Sequence, residues 1–358
     1  MADYYFALPP ITSLTDPQQA ALNELKPIAL SGGPGTGKSF VSLWRHISNH
    51  QRQSPIKSQL LTFTTSLAYY LKANSATQNS EAANFVDSTT NWYANRAENR
   101  IEIIVDEAQD MPLSFYEDET KLRQFSSRIS YGADDKQILK SGAKNVDGTF
   151  NINVCSPESE LIRVIGNEVF PLDQNFRNSK SILQFARTTF NDAYIPMAEL
   201  NSCGEIGDKP IFYITNNDIE KQNNTIIDII SQFNATEHNI GILTPLANTP
   251  WPNGEILTAR YYYNFLKDKF DCSFYDNTVH DGNGMQSMKN IHITTFKSSK
   301  GLEFDTVIIP CFDLFNAKFR VISWRDFFVG VTRAKNNLFL FSSRELPTLN
   351  SVIDKQQL

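Results

Sequence analysis

The feature that most constrains this chain is a glycine-rich stretch between an apolar run and an amphipathic segment. Residues 31–40 read SGGPGTGKSF, which holds four glycines and a proline. Both residue types disfavour the interior of a helix or strand, so the stretch predicts a turn. The preceding PIAL predicts a buried strand, and the following KSFVSLWRHI predicts a helix. The chain must therefore contain a strand–loop–helix unit here.

This stretch also completes the pattern GxxxxGK[ST]. Backbone N–H groups can curl around a phosphate only where side chains leave room, and the following helix adds its positive N-terminal end. Lys38 would then reach the β- and γ-phosphates of ATP, and the Ser39 hydroxyl would ligate Mg²⁺. A glycine-rich turn that merely precedes a lysine is the alternative, and the strand–loop–helix context argues against it. The predicted nucleotide-binding residues are Gly33, Pro34, Gly35, Thr36, Gly37, Lys38 and Ser39.

A second acidic motif follows another apolar run, RIEIIVDEAQD. Asp106 would hold Mg²⁺ through water, and Glu107 would polarise the attacking water. Carboxylates at a strand end can also form a solvated turn. Behind a complete phosphate-binding loop, however, they predict nucleotide hydrolysis.

Composition predicts two domains and excludes several protein classes. The chain has 358 residues with 41% hydrophobic content, which favours two ordinary cores over one. A net charge of −6 argues against histone-like coating of nucleic acid but permits a local basic groove. The four cysteines are scattered, which argues against a disulfide framework or zinc site. With no basic leader and no long apolar run, we expect a cytoplasmic protein without a membrane segment.

The fold class predicted from the apolar pattern is α/β. Runs of five or six apolar residues favour parallel strands covered on both faces, and the helical segments between them would be crossovers. We place the domain boundary near Asn167, giving domains 1–167 and 168–358, and expect loops at 73–84 and 142–153. The predicted strands are PIALSG, QLLTFT, RIEIIVD, RISYGAD, VFPLD, KPIFYIT, NIGILTP, NIHITTF, DTVIIP and NNLFLFS.

Eight motifs in order resemble those of superfamily 1 helicases of the UvrD/Rep kind. Besides the two motifs above, they are LTDPQ (14–18), LTFTTS (61–66), YGADDKQ (131–137), LDQNFR (172–177), TTFKSSKGLEF (294–304) and FVGVTRAK (328–335). The resemblance covers nearly the whole chain. It implies two RecA-like P-loop NTPase domains, each with a mainly parallel sheet flanked by helices. It also implies that ATP binds in the cleft between them.

The resemblance implies a role for individual residues. Gln18 would hydrogen-bond adenine, Phe176 would stack on it, and Glu303 would bind the ribose. Gln137 would sense the γ-phosphate. Arg177 would contact that phosphate, and Arg333 would act as an arginine finger; buried structural ion pairs are the alternative for these two arginines. Since these residues come from both halves, ATP hydrolysis would open and close the cleft.

Nucleic-acid contacts are also predicted in both halves. Phe63 would stack on a base, and Thr64, Thr295 and Lys297 would contact phosphates. Trp92 and Tyr93 are weaker candidates, and for Trp92 the alternative is core packing. We expect the YYYNF stretch at 261–265 to be buried against the second sheet.

The chain departs from the helicase pattern in three ways. The stretch after YGADDKQ lacks the aromatic residue and arginine that contact DNA in the family, and Lys140 and Ser141 lie there instead. Lys297 replaces a histidine. Both accessory insertions typical of UvrD-like helicases are missing, which predicts a bare two-domain motor.

The leading hypothesis is an ATP-dependent translocase on single-stranded DNA, favoured over RNA, with the family's 3′-to-5′ direction. Without insertions, we expect it to need a partner for unwinding, such as a nuclease, in DNA repair or phage defence. A regulatory switch that controls a partner without translocating is the alternative. A small-molecule phosphotransferase is a third hypothesis, and the last two motifs argue against it.

Overall fold

The chain folds into two compact units. The computed structural model describes residues 3–6, 8–52, 57–140, 142–145, 147–248, 258–275, 288–316 and 322–358. One unit comprises Phe6–Gln174, and the other comprises Asn175–Leu358 together with Met1–Tyr5. They are called here the N-terminal unit and the C-terminal unit.

The N-terminal unit is built on a six-stranded sheet in the order β3-β2-β4-β5-β1-β6. All of its strand pairs are parallel. The strands are β1 Ile28–Ser31, β2 Ser58–Thr62, β3 Val86–Ser88, β4 Glu102–Asp106, β5 Ile129–Ala133 and β6 Glu168–Pro171. The α-helices are α1 Asp16–Asn23, α2 Lys38–Gln51, α3 Thr65–Gln78, α4 Ser80–Ala83, α5 Thr89–Asn95, α6 Ser114–Glu117 and α7 Glu158–Ile165.

The C-terminal unit contains a seven-stranded sheet in the order β13-β7-β12-β11-β8-β10-β9, again with parallel pairing. Its strands are β7 Ile211–Ile214, β8 Ile240–Thr244, β9 Cys272–Tyr275, β10 Ile291–Thr295, β11 Phe304–Ile309, β12 Ala334–Ser342 and β13 Asp354–Gln357. Its described α-helices are α8 Lys180–Thr189, α9 Met197–Asn201, α10 Ile219–Phe233, α11 Ala259–Leu266 and α12 Trp324–Val331.

The central strands of both sheets are buried on both faces, as their continuous apolar composition predicts. Every residue of β4 and β5 is buried, as is every residue of β8, β10 and β11. Tyr262 of the YYYNF stretch is fully buried in the core of the C-terminal unit. Because the strands in each sheet run parallel, their carboxyl ends lie on the same side of the sheet, and the loops that follow them can carry functional groups.

All ten predicted strands are present, and the described residues form three others that were not predicted. These three are β3, β9 and β13, each an edge strand of its sheet. β13 reads DKQQ and is exposed throughout, so it has no apolar signal. Backbone pairing with β7 forms this strand.

The predicted loop at 73–84 is wrong. Helix α3 continues to Gln78 and α4 begins at Ser80. The inward face of α3 includes the small polar residues Asn74 and Ser75, both buried, and this polarity hides the helical period. Asn79 then caps α4 by accepting a hydrogen bond from Ala82 N at 2.9 Å.

The structure divides the chain later than Asn167. β6 pairs with β1 from Ile28 opposite Glu168 to Ser31 opposite Pro171, so it completes the first sheet. The predicted boundary assigned this apolar run to the second half. A run of apolar residues indicates a strand but does not indicate which sheet it joins.

Candidate nucleotide site

The glycine-rich loop follows β1 and leads directly into α2. Gly37 lies at the helix start in the left-handed region, with φ of 87°. A Cβ atom there would lie 2.5 Å from Gln18 Nε2, so a larger residue would be strained and would also displace Gln18. Thr36 is buried, and its hydroxyl donates to Gly33 O at 2.9 Å. Of the other predicted loop residues, Gly33 and Pro34 are buried, and Gly35 and Ser39 are partly buried.

Lys38 lies against the loop it follows. Its Nζ donates to Gly32 O at 2.7 Å and to Gly33 O at 2.9 Å. The side chain is buried, and Nζ lies 3.9 Å from Asp134 Oδ2. The ammonium group is thus held within the loop, where a phosphate cradled by the backbone would meet it.

Gln18 connects α1 to the loop. Its Oε1 accepts a hydrogen bond from Thr15 N at 3.0 Å, which completes a capping box at the start of α1. Its Nε2 donates to Thr36 O at 3.0 Å. The structure therefore gives Gln18 a role in fixing the loop, and its adenine contact stays a prediction.

The acidic motif occupies the carboxyl end of β4. Asp106 ends this strand and is buried. Glu107 has φ of 59° and ψ of 44°, a left-handed conformation that is uncommon outside glycine. Gln109 Nε2 donates to Glu107 Oε2 at 2.5 Å. Unfavourable backbone geometry of this kind clusters at functional sites, which fits a carboxylate aimed at a reacting group.

Gly132 of β5 lets the loop and the acidic motif approach each other. A Cβ atom at this position would lie 3.2 Å from Asp106 Oδ1 and 3.6 Å from Lys38 Cβ. The missing side chain therefore makes room between the two predicted functional residues. Sequence reasoning did not single out Gly132.

Asp134 ties the predicted catalytic groups into one network, and sequence reasoning missed it. Its backbone N–H donates to Gln109 Oε1 at 3.2 Å, and its Oδ2 accepts from Gln137 Nε2 at 2.6 Å. The same oxygen is the one that faces Lys38. Through Gln109, this network reaches Glu107. The available signal was a carboxylate just past the end of a central parallel strand.

Two further acids, both partly buried, lie beside this network. Glu158 N donates to Asp135 Oδ1 at 2.9 Å, and the Ser31 hydroxyl donates to the Glu158 carboxylate. Burial raises the pKa of Asp135 to about 6, and the hydrogen bond from Glu158 N partly opposes this rise. Burial likewise raises the pKa of Glu158. This edge of the sheet thus carries carboxyl groups that titrate closer to neutrality than usual.

In the C-terminal unit, three predicted nucleotide residues lie close together. Arg177 Nε donates to Glu303 Oε2 at 3.2 Å, and both side chains are largely buried. Arg333 is 1% exposed; its Nε donates to Val329 O at 3.1 Å and its Nη1 to Leu302 O at 3.3 Å. Since Leu302 precedes Glu303, Arg177 and Arg333 both contact the loop that leads into β11.

Phe176 precedes this cluster and is 49% exposed. An apolar ring of this size is normally buried on folding. Its exposure fits the predicted stacking on adenine.

The predicted nucleic-acid contacts differ in accessibility. Phe63 follows β2, is partly buried, and has Lys140 Nζ 4.7 Å from its ring centroid. Thr64 caps α3 by accepting from Leu67 N at 3.2 Å. Thr295 is buried and donates to Ser298 Oγ at 3.1 Å. Lys297 is partly buried.

The weaker candidate Trp92 belongs to the core. It is 1% exposed and packs edge-on against Phe125, with ring centroids 5.2 Å apart. Tyr93 beside it is 41% exposed. Core packing, the alternative for Trp92, is therefore what the structure shows.

Comparisons with known proteins agree with the predicted resemblance. Residues 276–345 match the UvrD-like helicase C-terminal domain, a range that contains the last two helicase-like motifs. No curated protein matches the chain in sequence.

Two solved structures resemble the fold. One is the PRRSV helicase, at 13% identity and a TM-score of 0.43; the match covers 93% of this chain and 55% of the helicase chain. The other is S. cerevisiae Dbp5 bound to RNA and ADP BeF3, at 10% identity and a TM-score of 0.54. That match covers 97% of this chain and 90% of the Dbp5 chain. The domain match confirms the predicted resemblance to UvrD-like helicases, and the second structure supports the predicted α/β fold with two parallel sheets.

Proposed function

We propose that the protein is an ATPase that couples hydrolysis to movement along single-stranded DNA. The observation that carries this proposal is the network at the carboxyl edge of the first sheet. It joins the predicted phosphate-binding Lys38, Glu107 and Gln137 through Asp134 and the side chain of Gln109. A site built to bind and hydrolyse a nucleoside triphosphate needs these groups together.

The residues present suit a magnesium ion. Ser39 lies in the first turn of α2, and Asp106 ends β4. Hydroxyl and carboxylate oxygens are the ligands that Mg²⁺ prefers, and it usually keeps several waters besides. When bound, the ion would neutralise phosphate charge. Lys38 would hold the phosphates, and Glu107 would orient water and accept its proton.

The C-terminal unit would supply the remaining charges. Arg177 and Arg333 would stabilise the phosphoryl group in the transition state, and Phe176 and Glu303 would hold the adenosine. Closure around ATP and release after hydrolysis would then drive the movement of one unit against the other. The UvrD-like match over 276–345 supports the assignment of Glu303 and Arg333, which lie within it.

DNA is proposed over RNA because the matched domain is UvrD-like, although one structural neighbour is an RNA-bound protein. Lys140 and Phe63 lie together and provide a cation and an aromatic ring. Proteins bind single strands mainly through groups of these two kinds. A partner protein such as a nuclease would complete the function. Within the described residues, no helix could cross a membrane.

The test is an ATPase assay without nucleic acid and with single-stranded DNA, single-stranded RNA or duplex. We expect the largest stimulation with single-stranded DNA. Lys38→Ala should abolish turnover, whereas the matched variant Lys26→Ala, at an exposed lysine of the same unit, should behave as the unchanged protein. Turnover that survives in Lys38→Ala would contradict the assignment.

A regulatory switch is the second candidate. The stretch after Gln137 reads ILKSGAK and lacks an aromatic residue and an arginine, which removes part of the usual strand contact. ATP turnover indifferent to every nucleic acid would favour this function. Stimulation by one of them would exclude it.

A further inference from the structure

The first described residues of the chain pack onto the C-terminal unit. Tyr4 N donates to Met288 O at 2.9 Å. Tyr5 exchanges two hydrogen bonds with Asn239: its N–H donates to Oδ1, and its carbonyl accepts from Nδ2, each at 2.9 Å. Residues 3–5 are therefore part of this unit although they precede the whole N-terminal unit in sequence.

Tyr4 is the buried member of this segment. It is 3% exposed, and its ring meets Phe304 edge to face at 5.9 Å between centroids. Its hydroxyl donates to the backbone carbonyl of Glu303. Burial, with the Glu303 charge as the next cause, raises the pKa of this hydroxyl well above its usual value, so it remains a protonated donor at neutral pH.

Glu303 is the residue that this contact holds in place. It ends the loop before β11, and its carboxylate accepts a hydrogen bond from Arg177 Nε at 3.2 Å. A buried hydrogen bond to a residue's backbone fixes the position of its Cα and Cβ atoms, from which the side chain extends. A displacement of about 1 Å at a binding group markedly weakens its function. Exposed Tyr5, at 43%, makes no such contact through its ring among the described residues.

We propose that Tyr4 is a positioning residue that sets the orientation of Glu303 toward the ribose of ATP. This inference rests on the proposed function, in which Glu303 binds the ribose. Tyr4 lies far outside the matched helicase segment, which begins at residue 276. Its role is visible only because the fold brings residue 4 beside residue 303.

The experiment compares ATP with 2′-deoxy-ATP and 3′-deoxy-ATP, using both kcat/KM and dissociation constants. We expect the unchanged protein to prefer ATP over at least one deoxy form and Glu303→Gln to lose that preference. Tyr4→Phe removes only the hydroxyl, and we expect the preference to fall by about two- to tenfold, the range for one hydrogen bond. Tyr5→Phe is the matched control and should keep the full preference.

The ratio between nucleotides separates positioning from general stabilisation. A merely structural Tyr4 would lower turnover with every nucleotide and leave the ratio unchanged, which would overturn the inference. If Glu303→Gln loses the preference and Tyr4→Phe keeps it, the inference fails while the proposed function stands. If neither the unchanged protein nor Glu303→Gln distinguishes ribose from deoxyribose, the assignment of Glu303 falls, and this inference with it.

Discussion

The loop after β1 and the loop after β10 both leave the carboxyl end of a buried parallel strand, yet they are built from different side chains. Residues 32–37 contain four glycines, whereas residues 296–303 contain one. In the second loop Ser298, Ser299 and Lys300 are each at most 2% exposed. The Ser299 hydroxyl donates to Phe296 O at 2.8 Å, and Ser298 N donates to Thr295 Oγ1 at 3.1 Å.

The difference shows that loops after the strands of two similar sheets can differ in chemical content. Glycines would let backbone N–H groups of the first loop approach a phosphate, as proposed above, whereas the second loop buries its own polar side chains. The second loop lacks the glycine pattern of a phosphate cradle. Under the proposed function, the C-terminal unit would instead contribute the charged side chains gathered around this loop, Arg177, Glu303 and Arg333.

The largest effect is expected where the C-terminal unit supplies charge. Arg333→Ala should slow ATP turnover by about 10³–10⁵, the range for an arginine finger, while ATP binding stays nearly intact. The carbonyls of Val329 and Leu302 would also lose a donor, so the melting temperature should fall. Single-turnover hydrolysis measures the rate, ATP titration measures binding, and thermal unfolding measures the melting temperature.

The matched control for this variant is Arg344→Ala, at an exposed arginine of the same unit. It should leave hydrolysis unchanged. Normal turnover in Arg333→Ala would mean that the C-terminal unit does not complete the site, and the comparison between the two loops would lose its functional meaning.

The second prediction concerns the N-terminal unit alone. Glu107→Gln should retain ATP binding but slow hydrolysis by about 10²–10⁴, the usual contribution of a general base. The amide oxygen can still accept from Gln109, so the local geometry should persist. Glu168→Gln, at an exposed glutamate of β6, is the control. A normal rate in Glu107→Gln would show that another group orients the water.

Loss of the ring at Phe63 should have a smaller effect, on nucleic acid only. Phe63→Ala should weaken binding of a single-stranded oligonucleotide by about 1–3 kcal/mol, the value of one stacked base, with basal ATPase retained. Fluorescence anisotropy measures the affinity. Tyr93→Ala, at a 41% exposed aromatic of the same unit, is the comparison; equal losses from both would argue against a specific base contact.

The last prediction concerns acid stability and the buried histidine described in each unit, His46 and His292. Burial lowers the pKa of His46 and of His292 to about 3. The unfolded chain, with a pKa near 6.5, therefore binds more protons below that pH. Each histidine costs about 1.4 kcal/mol of stability per pH unit as pH falls from 6.5 toward 3.

Asp135 acts in the opposite direction, because its folded pKa of about 6 exceeds that of the unfolded chain. Variants separate the two effects. His46→Gln or His292→Gln should flatten the fall in melting temperature between pH 7 and pH 5, since Asp135 contributes equally to both proteins. An unchanged slope in both variants would show that neither histidine is a buried neutral group.

The sequence predicted those parts of the molecule that depend on local pattern. Ten apolar runs became strands, and the glycine loop lies where strand and helix periods predicted it. β13 was missed because DKQQ forms a strand only through its partner, and the last residues of α3 were predicted as a loop because its inward face is partly polar.

Side-chain networks were beyond sequence reasoning for a different reason. Asp134 and Gln109 join the predicted catalytic residues through hydrogen bonds that depend on the fold and on rotamers. Gly132 is important because of the space that it leaves, and Tyr4 because of a contact with a residue 299 positions away. No local pattern carries this information.

The central claim is that each unit contributes part of one ATP site. A crystal structure of the protein with Mg²⁺ and a non-hydrolysable ATP analogue tests it directly. We predict Lys38 Nζ, Arg177 and Arg333 within hydrogen-bond distance, about 3 Å, of oxygens on the same triphosphate. A triphosphate held by Lys38 while both arginines face unrelated surfaces would contradict the claim.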